Sequence, residues 1–486
     1  MQCRPQEASF GPPIYRSTSL RTLRELTLVI ILAALLSGCS SQPRQSTRMI
    51  DSVIADEMAK QRVPGMAVGI VQRGELVLAA GFGLANVEHA VPVTKSSIFQ
   101  SGSLAKQFTA VAVMLQVEAG KLALEDSISR FFPEAPVTWK PITVRHLLTH
   151  TSGIPDYDER SLDYRKDYTE EELARVAFGL PLEFPAGSRW NYSNTGYVLL
   201  GAIVRKASGQ FYGDVLRDRV FTPLGMTTAR VIGEEEIVLN RAAGYRLAGE
   251  ALKNQEWVSP KLNTTADGSL YLSLQDWLVW EQALRTRAVL RSASWEEVFT
   301  PVRLNSGKRY PYGLGWELND ENRGPEWYRH GGSWQGFQTA YLHATDADMS
   351  VIVLANLADA RPMRIAERVA QLFVPELMRP SPGQRIEHDP KFAERVQVLL
   401  EATKAGELRE ADFEFLRVGF FPSVPAAYKK LLAGLGPIER VELIDRWERG
   451  DDTVLRLRAI IGSRPFLVNL SVTQTGRYSA YSLRPE

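Results

Sequence analysis

Ser103-Leu104-Ala105-Lys106-Gln107-Phe108 is the most informative run of residues in the chain, because a serine and a lysine three positions apart stand at the start of an amphipathic pattern. Apolar residues recur downstream at steps of four, three and four, at Leu104, Phe108, Val111 and Leu115. This spacing predicts a helix over residues 104–119. Positions i and i+3 share one face of a helix, so Ser103 and Lys106 can approach each other. The pattern offers a nucleophile beside a potential base.

Two interpretations of this Ser-x-x-Lys spacing are open at this point. Near the first turn of a helix, unpaired backbone N–H groups and the positive end of the helix dipole favour developing negative charge, so an oxyanion could be held there. Alternatively, Ser103 is only an N-cap and Lys106 a solvated surface residue. The motif occurs once in the chain, but four residues alone are weak support for catalysis.

The bulk composition is that of an ordinary globular protein with a sizeable core. Its 486 residues, 44% of them hydrophobic and 23% charged, are enough for roughly two to three domains. The 57 basic and 56 acidic residues give a net charge of +1. Since neither an excess nor a run of basic residues is present, no nucleic-acid partner is expected.

The N-terminus resembles a bacterial lipoprotein signal. Positive charges at Arg16, Arg21 and Arg24 precede an apolar run over residues 26–36, which is too short to span a membrane and fits a signal peptide. The next residues, Leu36-Ser37-Gly38-Cys39, are similar to a lipobox, which implies cleavage before Cys39 and lipidation of that residue. The alternative is a short signal anchor with an incidental cysteine.

From this resemblance we expect a signal peptide over residues 1–38, a tether over 39–47 and a lipid-anchored protein in the bacterial cell envelope, on the periplasmic face of the outer membrane. Cleavage would also remove Cys3, which is the chain's other cysteine. Neither a disulfide nor a cysteine metal site is therefore expected in the mature protein.

Residues 48–378 alternate between strand-like and helix-like segments. Apolar segments flank turn-forming residues within 66–79 and again within 336–354, which predicts two hairpins near the two ends of this region. We expect the two hairpins to share one sheet. The segments between them predict helices at 104–119, 170–178, 195–207 and 274–284. The region is therefore predicted to be an α+β domain with a long helical insertion.

A polar, proline-containing segment over residues 379–389 predicts a linker. Beyond it, residues 390–486 are predicted to form a small α+β accessory module. Its helices are expected at 391–405 and 410–418, and strongly alternating residues between 441 and 473 predict strands joined by turns. No catalytic motif is found in this module.

Two further short motifs follow the serine and lysine. Tyr192-Ser193-Asn194 contains the only Tyr-x-Asn among sixteen tyrosines, in a loop before the helix predicted at 195–207. His330-Gly331-Gly332-Ser333 lies just ahead of a predicted strand. Ser-x-x-Lys, then Tyr-x-Asn, then a basic residue followed by glycine on an edge strand resembles the arrangement of the serine beta-lactamase and DD-peptidase superfamily.

The resemblance is to the class C-like branch of that superfamily, which includes beta-lactamase-related serine hydrolases, family VIII esterases and D-aminopeptidases. It covers about residues 48–375 and implies an antiparallel sheet flanked by helices, with a helical subdomain. Besides the three motifs, it rests on Val63-Pro64-Gly65-Met66, Gly81-Phe82-Gly83-Leu84-Ala85, residues 142–155, Phe184-Pro185-Ala186-Gly187, Pro223-Leu224-Gly225-Met226 and Tyr312-Gly313-Leu314-Gly315-Trp316.

The resemblance also implies roles for individual residues. Ser103 would attack a carbonyl carbon and become acylated, with Lys106 and Tyr192 acting as one coupled unit in which either is the base. Asn194 would bind Lys106 and the substrate amide. The backbone N–H groups of Ser103 and Ser333 would form the oxyanion hole. This chemistry needs neither a metal nor a cofactor.

His330 is a departure from the pattern of beta-lactamases in this superfamily, which usually carry Lys-Thr-Gly where this chain has His330-Gly331-Gly332. The His-Gly-Gly sequence resembles the related aminopeptidases, esterases and peptidases. Because histidine is largely neutral at pH 7, it would hold a substrate carboxylate less strongly than lysine. Efficient hydrolysis of penicillins or cephalosporins is therefore not expected. The alternative is a histidine packed at the start of a strand.

Two competing kinds of site are disfavoured. His146 and His150 are four residues apart, as metal ligands on a helix would be, but no Glu follows His146 and no third ligand is evident, so we interpret both as structural. A nucleophile elbow of the Gly-x-Ser-x-Gly type is absent, since the sequence around Ser333 ends in Gln335.

The sequence therefore predicts a metal-independent, envelope-anchored serine hydrolase that acts through an acyl-enzyme on esters or D-amino-acid peptides and amides. One alternative is a penicillin-recognising or scaffold lipoprotein with little turnover, whose C-terminal module binds an unknown partner. Another is a true class C-like beta-lactamase. Pocket shape decides between ester, peptide and lactam substrates, and motifs do not determine it.

Overall fold

The computed structural model describes residues 42–157, 161–233, 236–320, 324–377, 390–416 and 419–486. The chain divides into two compact units, residues 1–55 and residues 56–486. Of the first unit, only residues 42–55 are described, and they are helical. The predicted signal peptide over 1–38, the predicted lipidation site Cys39 and the predicted linker over 379–389 lie outside the described residues. In the described part, no helix is both long and apolar enough to span a membrane.

The α-helices of the described residues, in chain order, are α1 Gln42–Gln61, α2 Lys106–Glu118, α3 Val144–Leu148, α4 Glu170–Phe178, α5 Asn194–Ser208, α6 Tyr212–Leu216, α7 Thr222–Leu224, α8 Leu274–Arg285, α9 Ser292–Val298, α10 Pro362–Gln371, α11 Pro390–Ala405 and α12 Ser423–Leu432. The strands are β1 Gly65–Gln72, β2 Glu75–Asn86, β3 Val91–Pro92, β4 Ile98–Gln100, β5 Arg230–Val231, β6 Tyr245–Ala248, β7 Ala251–Asn254, β8 Leu270–Ser273, β9 Val302–Arg303, β10 Arg309–Tyr310, β11 Glu317–Leu318, β12 Trp327–Trp334, β13 Phe337–Ala344, β14 Met349–Ala355, β15 Ile438–Arg449, β16 Asp452–Ile461, β17 Arg464–Val472 and β18 Tyr478–Pro485.

An antiparallel sheet of order β11-β12-β13-β14-β1-β2-β3 is the largest sheet of the described residues. Its centre is the pair β1 and β14, in which Val68 lies opposite Val353. Every residue of β14 is buried, and all but Ser350 are apolar. Since successive residues of a strand face opposite sides, both faces of the sheet are covered at this strand. The prediction that the hairpins near the two ends of 48–378 share one sheet is confirmed.

The helices predicted between the two hairpins are also confirmed. Thr169 starts α4 with a capping box to Glu172, and the Ser193 hydroxyl caps α5 by accepting a hydrogen bond from the Gly196 N–H group. The helix predicted over 104–119 is α2, preceded by a 3-10 turn over Gly102–Ala105. The apolar stripe of α2 is buried, and the ring centroid of Phe108 lies 4.5 Å from that of Trp280.

The C-terminal module, residues 390–486, has its own apolar core, whose residues lie in the range from Val396 to Leu483. Its strands form a meander in the order β15-β16-β17-β18. The prediction of a helix over 410–418 is wrong. Residues 410–412 form one 3-10 turn, and the second α-helix of the module is α12. Phe413 instead forms an isolated β-bridge to Tyr478, and Phe415 has a φ of 56°, which a continuing α-helix does not allow.

A close approach between β12 and the 3-10 turn before α2 positions the site described below. β11 pairs only with the start of β12, opposite Tyr328 and Arg329, and the turn packs on the rest of β12. A Cβ atom on Gly332 would lie 1.9 Å from the carbonyl oxygen of Ser101 and 2.9 Å from the amide nitrogen of Leu104. Because both neighbours are backbone atoms, only glycine allows this approach.

The adjacent glycines of β12 provide a test of this packing. We expect Gly332→Ala to lower the free energy of unfolding by about 1–3 kcal/mol or more, since backbone must shift to admit the methyl group. Gly331→Ala is the control, because its Cβ atom would meet nothing closer than the Thr339 carbonyl oxygen at 3.6 Å. It should change that free energy by less than about 1 kcal/mol. Equal effects of the two variants in urea unfolding would contradict the packing described here.

Candidate active site

The site is formed where four segments meet: the 3-10 turn at Gly102–Ala105, strand β12, the N-terminus of α5, and the loop that leads into β8. The chain leaves β4 and reverses at Gly102, whose φ of +54° favours glycine. Ser103 follows in the turn and is half-buried. Ser103 was predicted to lie at the start of the helix, and it lies in the 3-10 turn that directly precedes α2.

Lys106 is fully buried, at 0% exposure, and its ammonium group is surrounded by three acceptors. Nζ donates to Ser103 Oγ at 3.0 Å, to Asn194 Oδ1 at 2.7 Å and to the carbonyl oxygen of Asp267 at 2.6 Å. The Nζ atom also lies 5.0 Å from the ring centroid of Tyr192. A buried charge is tolerated only with such partners. The prediction that Ser103 and Lys106 approach each other is confirmed.

This arrangement suits a lysine that exchanges a proton with the serine. A protonated Lys106 donates one hydrogen to each of the three acceptors. A neutral Lys106 keeps two hydrogens for Asn194 and the Asp267 carbonyl, and its lone pair then accepts the hydroxyl hydrogen of Ser103. Neither state needs a change in heavy-atom positions, so the site is preorganised for general base catalysis.

Asp156 orients the Asn194 side chain. Its Oδ2 accepts a hydrogen bond from Asn194 Nδ2 at 3.0 Å, and its Oδ1 accepts one from the Asn194 backbone N–H group at 2.8 Å. Because a carboxylate accepts but does not donate, the amide NH2 group of Asn194 must face Asp156 and its oxygen must face Lys106. Asp156 thereby fixes the acceptor that Lys106 needs.

Tyr192 lies in a cluster of aromatic and imidazole rings beside Lys106. Its ring centroid is 4.2 Å from that of His150 and 6.3 Å from that of His330. The Trp190 ring centroid lies 6.4 Å from that of Tyr192, and Trp190 stacks on Tyr310 with centroids 4.5 Å apart and planes 11° apart. The cluster fixes the orientation of the Tyr192 ring by packing on more than one side.

His150, Tyr312 and His330 form a hydrogen-bonded chain in this cluster. The Ser193 N–H group donates to His150 Nδ1 at 3.1 Å, so Nε2 carries the hydrogen and donates to the Tyr312 hydroxyl at 3.2 Å. His330 Nδ1 donates to the Gly331 carbonyl oxygen, which leaves Nε2 to accept from the same hydroxyl at 3.1 Å. Each imidazole is therefore held as one neutral tautomer.

Burial is the main cause of the neutral state of both histidines. It lowers the pKa of His330 to about 4, and the nearby Lys106 charge adds to this effect. Burial likewise lowers the pKa of His150 well below its ordinary value, again with a contribution from Lys106. At neutral pH, His330 therefore brings no positive charge to the site. It is 3% exposed, and its Nε2 is bonded to Tyr312.

The backbone of β12 lies against the turn that carries the nucleophile. A Cβ atom on Gly102 would lie 2.4 Å from the amide nitrogen of Ser333, so this amide is adjacent to the peptide that precedes Ser103. The Ser333 hydroxyl accepts a hydrogen bond from Gln338 Nε2 at 2.8 Å. The two amides predicted to form an oxyanion hole, those of Ser103 and Ser333, are thus on neighbouring segments.

Four of the groups in this site were not predicted. Asp156 and the Asp267 carbonyl have no motif around them, and Tyr312 and His150 were interpreted as framework and structural residues. His146 accepts a hydrogen bond from the Thr143 N–H group and belongs to the capping box of α3. Among the described residues, no three His, Cys, Asp or Glu side chains come together as metal ligands would.

Comparison with known proteins extends these observations. The family model described as Beta-lactamase matches residues 50–374. Penicillin-binding protein 4* of Bacillus subtilis (strain 168) is 32% identical over 302 residues, which are 58% of this chain and 66% of that protein. A D-aminopeptidase of Gluconobacter oxydans (strain 621H) is 26% identical over 317 residues, 63% of this chain and 58% of the relative. The chain thus spans about three fifths to two thirds of the length of these curated relatives.

Solved structures show the same fold. The octameric penicillin-binding protein homologue from Pyrococcus abyssi superposes with a TM-score of 0.62 at 25% identity, over 90% of this chain and 96% of that one. The D-amino acid amidase from Ochrobactrum anthropi SV3 has a TM-score of 0.59 at 25% identity, over 68% of this chain and 99% of that one. The expected α+β fold is thereby confirmed.

The role of Asp156 can be tested through the reactivity of Ser103. We expect Asp156→Asn to slow labelling of Ser103 by a fluorophosphonate about 10- to 100-fold, because an amide at 156 no longer fixes the orientation of Asn194. Asp276→Asn is the control: Asp276 is buried, whereas Asp156 is half-buried, and it also accepts backbone N–H groups, from Thr228 and Ala229. That variant should lose stability but keep its labelling rate. Equal labelling rates for the two variants would show that Asp156 is only structural.

Proposed function

The chain belongs to the Beta-lactamase family, and from this premise we propose that it is a serine hydrolase that forms an acyl-enzyme on Ser103 and acts on D-amino-acid amides, peptides and esters. The observation that carries the proposal is the 3.0 Å contact between Lys106 Nζ and Ser103 Oγ within a complete set of acceptors. Ser103 is half-buried, so its hydroxyl can meet a substrate while it contacts the buried lysine.

In the proposed first step, Ser103 Oγ attacks the substrate carbonyl carbon while its proton moves to the coupled Lys106 and Tyr192 unit. Lys106 Nζ contacts Ser103 Oγ directly. The developing oxyanion is stabilised by the amides of Ser103 and Ser333, and individual donors of this kind typically contribute about 3 kcal/mol. The proton then passes to the leaving amine or alcohol as its bond to the carbonyl carbon breaks.

In the second step, water hydrolyses the ester that links the acyl group to Ser103. The same basic unit removes a proton from the attacking water, and Ser103 regains its hydroxyl proton when the acid product leaves. Asp156 fixes the orientation of Asn194, and the Asp267 carbonyl fixes the position of Lys106. Both therefore serve the two steps.

D-amino-acid amides and peptides are favoured as substrates for two reasons. His330 is neutral at pH 7, so it offers no fixed cation for the carboxylate of a penicillin or cephalosporin. In addition, two of the relatives are named D-aminopeptidases, from Gluconobacter oxydans and Brucella anthropi. A penicillin-binding protein with little turnover is the second candidate, because relatives of that name are also similar to this chain. Envelope anchoring through Cys39 stays a prediction.

Parallel turnover assays test the proposal. Wild-type protein, Ser103→Ala and the control Ser96→Ala would each be given p-nitrophenyl butyrate, a D-alanine amide, a D-Ala-D-Ala peptide and nitrocefin. We expect the wild type and the control to hydrolyse the ester and at least one D-alanine substrate faster than nitrocefin. Ser103→Ala should be slower by about a thousandfold or more.

Other outcomes distinguish the alternatives. Equal activity of the wild type and Ser103→Ala on every substrate would refute the hydrolase proposal. Covalent labelling by penicillin at Ser103 without turnover would favour the penicillin-binding protein, and fastest turnover of nitrocefin would favour a beta-lactamase.

A further inference from the structure

The turn between β15 and β16 of the C-terminal module lies against the walls of the active site. We call residues 447–452 the hairpin tip. Gly450 in this tip is buried, its N–H group donates to the Arg309 carbonyl oxygen at 3.2 Å, and its φ is +57°. A Cβ atom at this position would lie 3.1 Å from Tyr310 Cδ2 and 3.0 Å from Leu304 Cδ1. The tip is therefore packed on β10 and its neighbours.

A bidentate ion pair joins the hairpin tip to the segment that carries Tyr192. Arg189 Nη1 donates to Asp452 Oδ1 at 2.9 Å, Nη2 donates to Asp452 Oδ2, and the two side chains are only 16% and 14% exposed. The Ser479 hydroxyl donates to the same carboxylate at 2.6 Å. The Arg189 guanidinium also lies 4.3 Å from the ring centroid of Phe415. A planar pair of this kind defines direction as well as distance.

A second ion pair joins the hairpin tip to the segment between Tyr312 and β12. Arg449 Nε donates to Asp320 Oδ1 at 3.0 Å and its Nη2 donates to Oδ2, while Trp447 Nε1 donates to Oδ2 at 3.1 Å. The Asp320 side chain is 12% exposed. Hydrogen bonds to this carboxylate help to raise the pKa of Arg449 despite its burial.

The two ion pairs fix the two chain segments that carry the ring cluster around Tyr192. Arg189 is followed directly by Trp190, which stacks on Tyr310. Tyr310 is two residues before Tyr312, whose hydroxyl links His150 and His330. The hairpin tip thus fixes the segment that ends in Tyr192 and the segment that supports the rings around it. The family match ends at residue 374, so these contacts come from outside the matched region.

We propose that the hairpin tip is a positioning element of the active site, in which Asp452 and Arg449 of the C-terminal module hold Tyr192 in register with Lys106 through Arg189 and Asp320. The inference rests on the proposed hydrolase function for its catalytic consequence. The C-terminal module is then required for full activity as a positioning element. Displacement of a catalytic group by about 1 Å is enough to slow an enzyme by about a hundredfold.

The test uses the full-length chain with Asp452→Asn, Asp452→Glu and Ser479→Ala. We expect Asp452→Asn to lower kcat about tenfold or more with KM changed less than about threefold, because the tip moves a catalytic group and not the substrate contacts. Asp452→Glu keeps the carboxylate and should recover most of kcat. Ser479→Ala removes one hydrogen bond to Asp452 and should therefore lower kcat by a smaller factor. It serves as the test variant if Asp452→Asn does not fold.

Glu442→Gln is the matched control, since Glu442 lies on β15 outside the hairpin tip and forms an ion pair with Arg440 of the same strand at 3.0 Å. It should leave kcat and hydrogen exchange unchanged. In Asp452→Asn, amide hydrogen exchange should become faster over residues 189–194 and 309–312 and stay unchanged in β1 and β14. This exchange measurement does not depend on activity.

The outcomes separate the two proposals. Wild-type protein without turnover would refute the hydrolase function, and faster exchange in Asp452→Asn would still support the positioning of residues 189–194 by the tip. Unchanged exchange in that variant would refute the positioning. Faster exchange with kcat within about twofold of the wild type would show that the tip orders this segment without aligning Tyr192, and would overturn the inference.

Discussion

The burial of the Lys106 ammonium group is the constraint on which the rest of the site depends. A charge at 0% exposure must find acceptors within the protein, and here they come from three separate places in the chain: Ser103, Asn194 and the Asp267 carbonyl. Bringing these together requires the turn before α2, the start of α5 and the loop before β8 to meet at one point. Asp156 completes the arrangement because it makes Asn194 an acceptor toward Lys106.

Much of the fold could be predicted from the sequence, because its local signals agree with the tertiary structure. The hairpins at the two ends of 48–378 have turn residues between apolar strands, and α4 and α5 have caps and apolar stripes. The helix predicted over 410–418 was wrong because tertiary contacts override the pattern there. Phe413 lies in the core of the C-terminal module and bridges to Tyr478.

The candidate site could be predicted only where it is built from side chains in short motifs. Ser103 and Lys106 are one helical turn apart, so their contact follows from spacing. The Asp267 carbonyl is a backbone group that any residue provides, so no sequence pattern could identify it. Asp156 is 38 residues before Asn194, and only the fold brings the two together. His330 was predicted from its motif, but its neutral state with Tyr312 depends on burial that the motif does not specify.

The proposed function depends on covalent acylation of Ser103, with proton transfer to its buried lysine. The most direct measurement is mass spectrometry of the wild-type protein quenched in acid within milliseconds of mixing with p-nitrophenyl butyrate, followed by peptide mapping. We expect one butyryl group, on the peptide that contains Ser103. A butyryl group on another residue, or ester hydrolysis with no covalent adduct at any quench time, would contradict it.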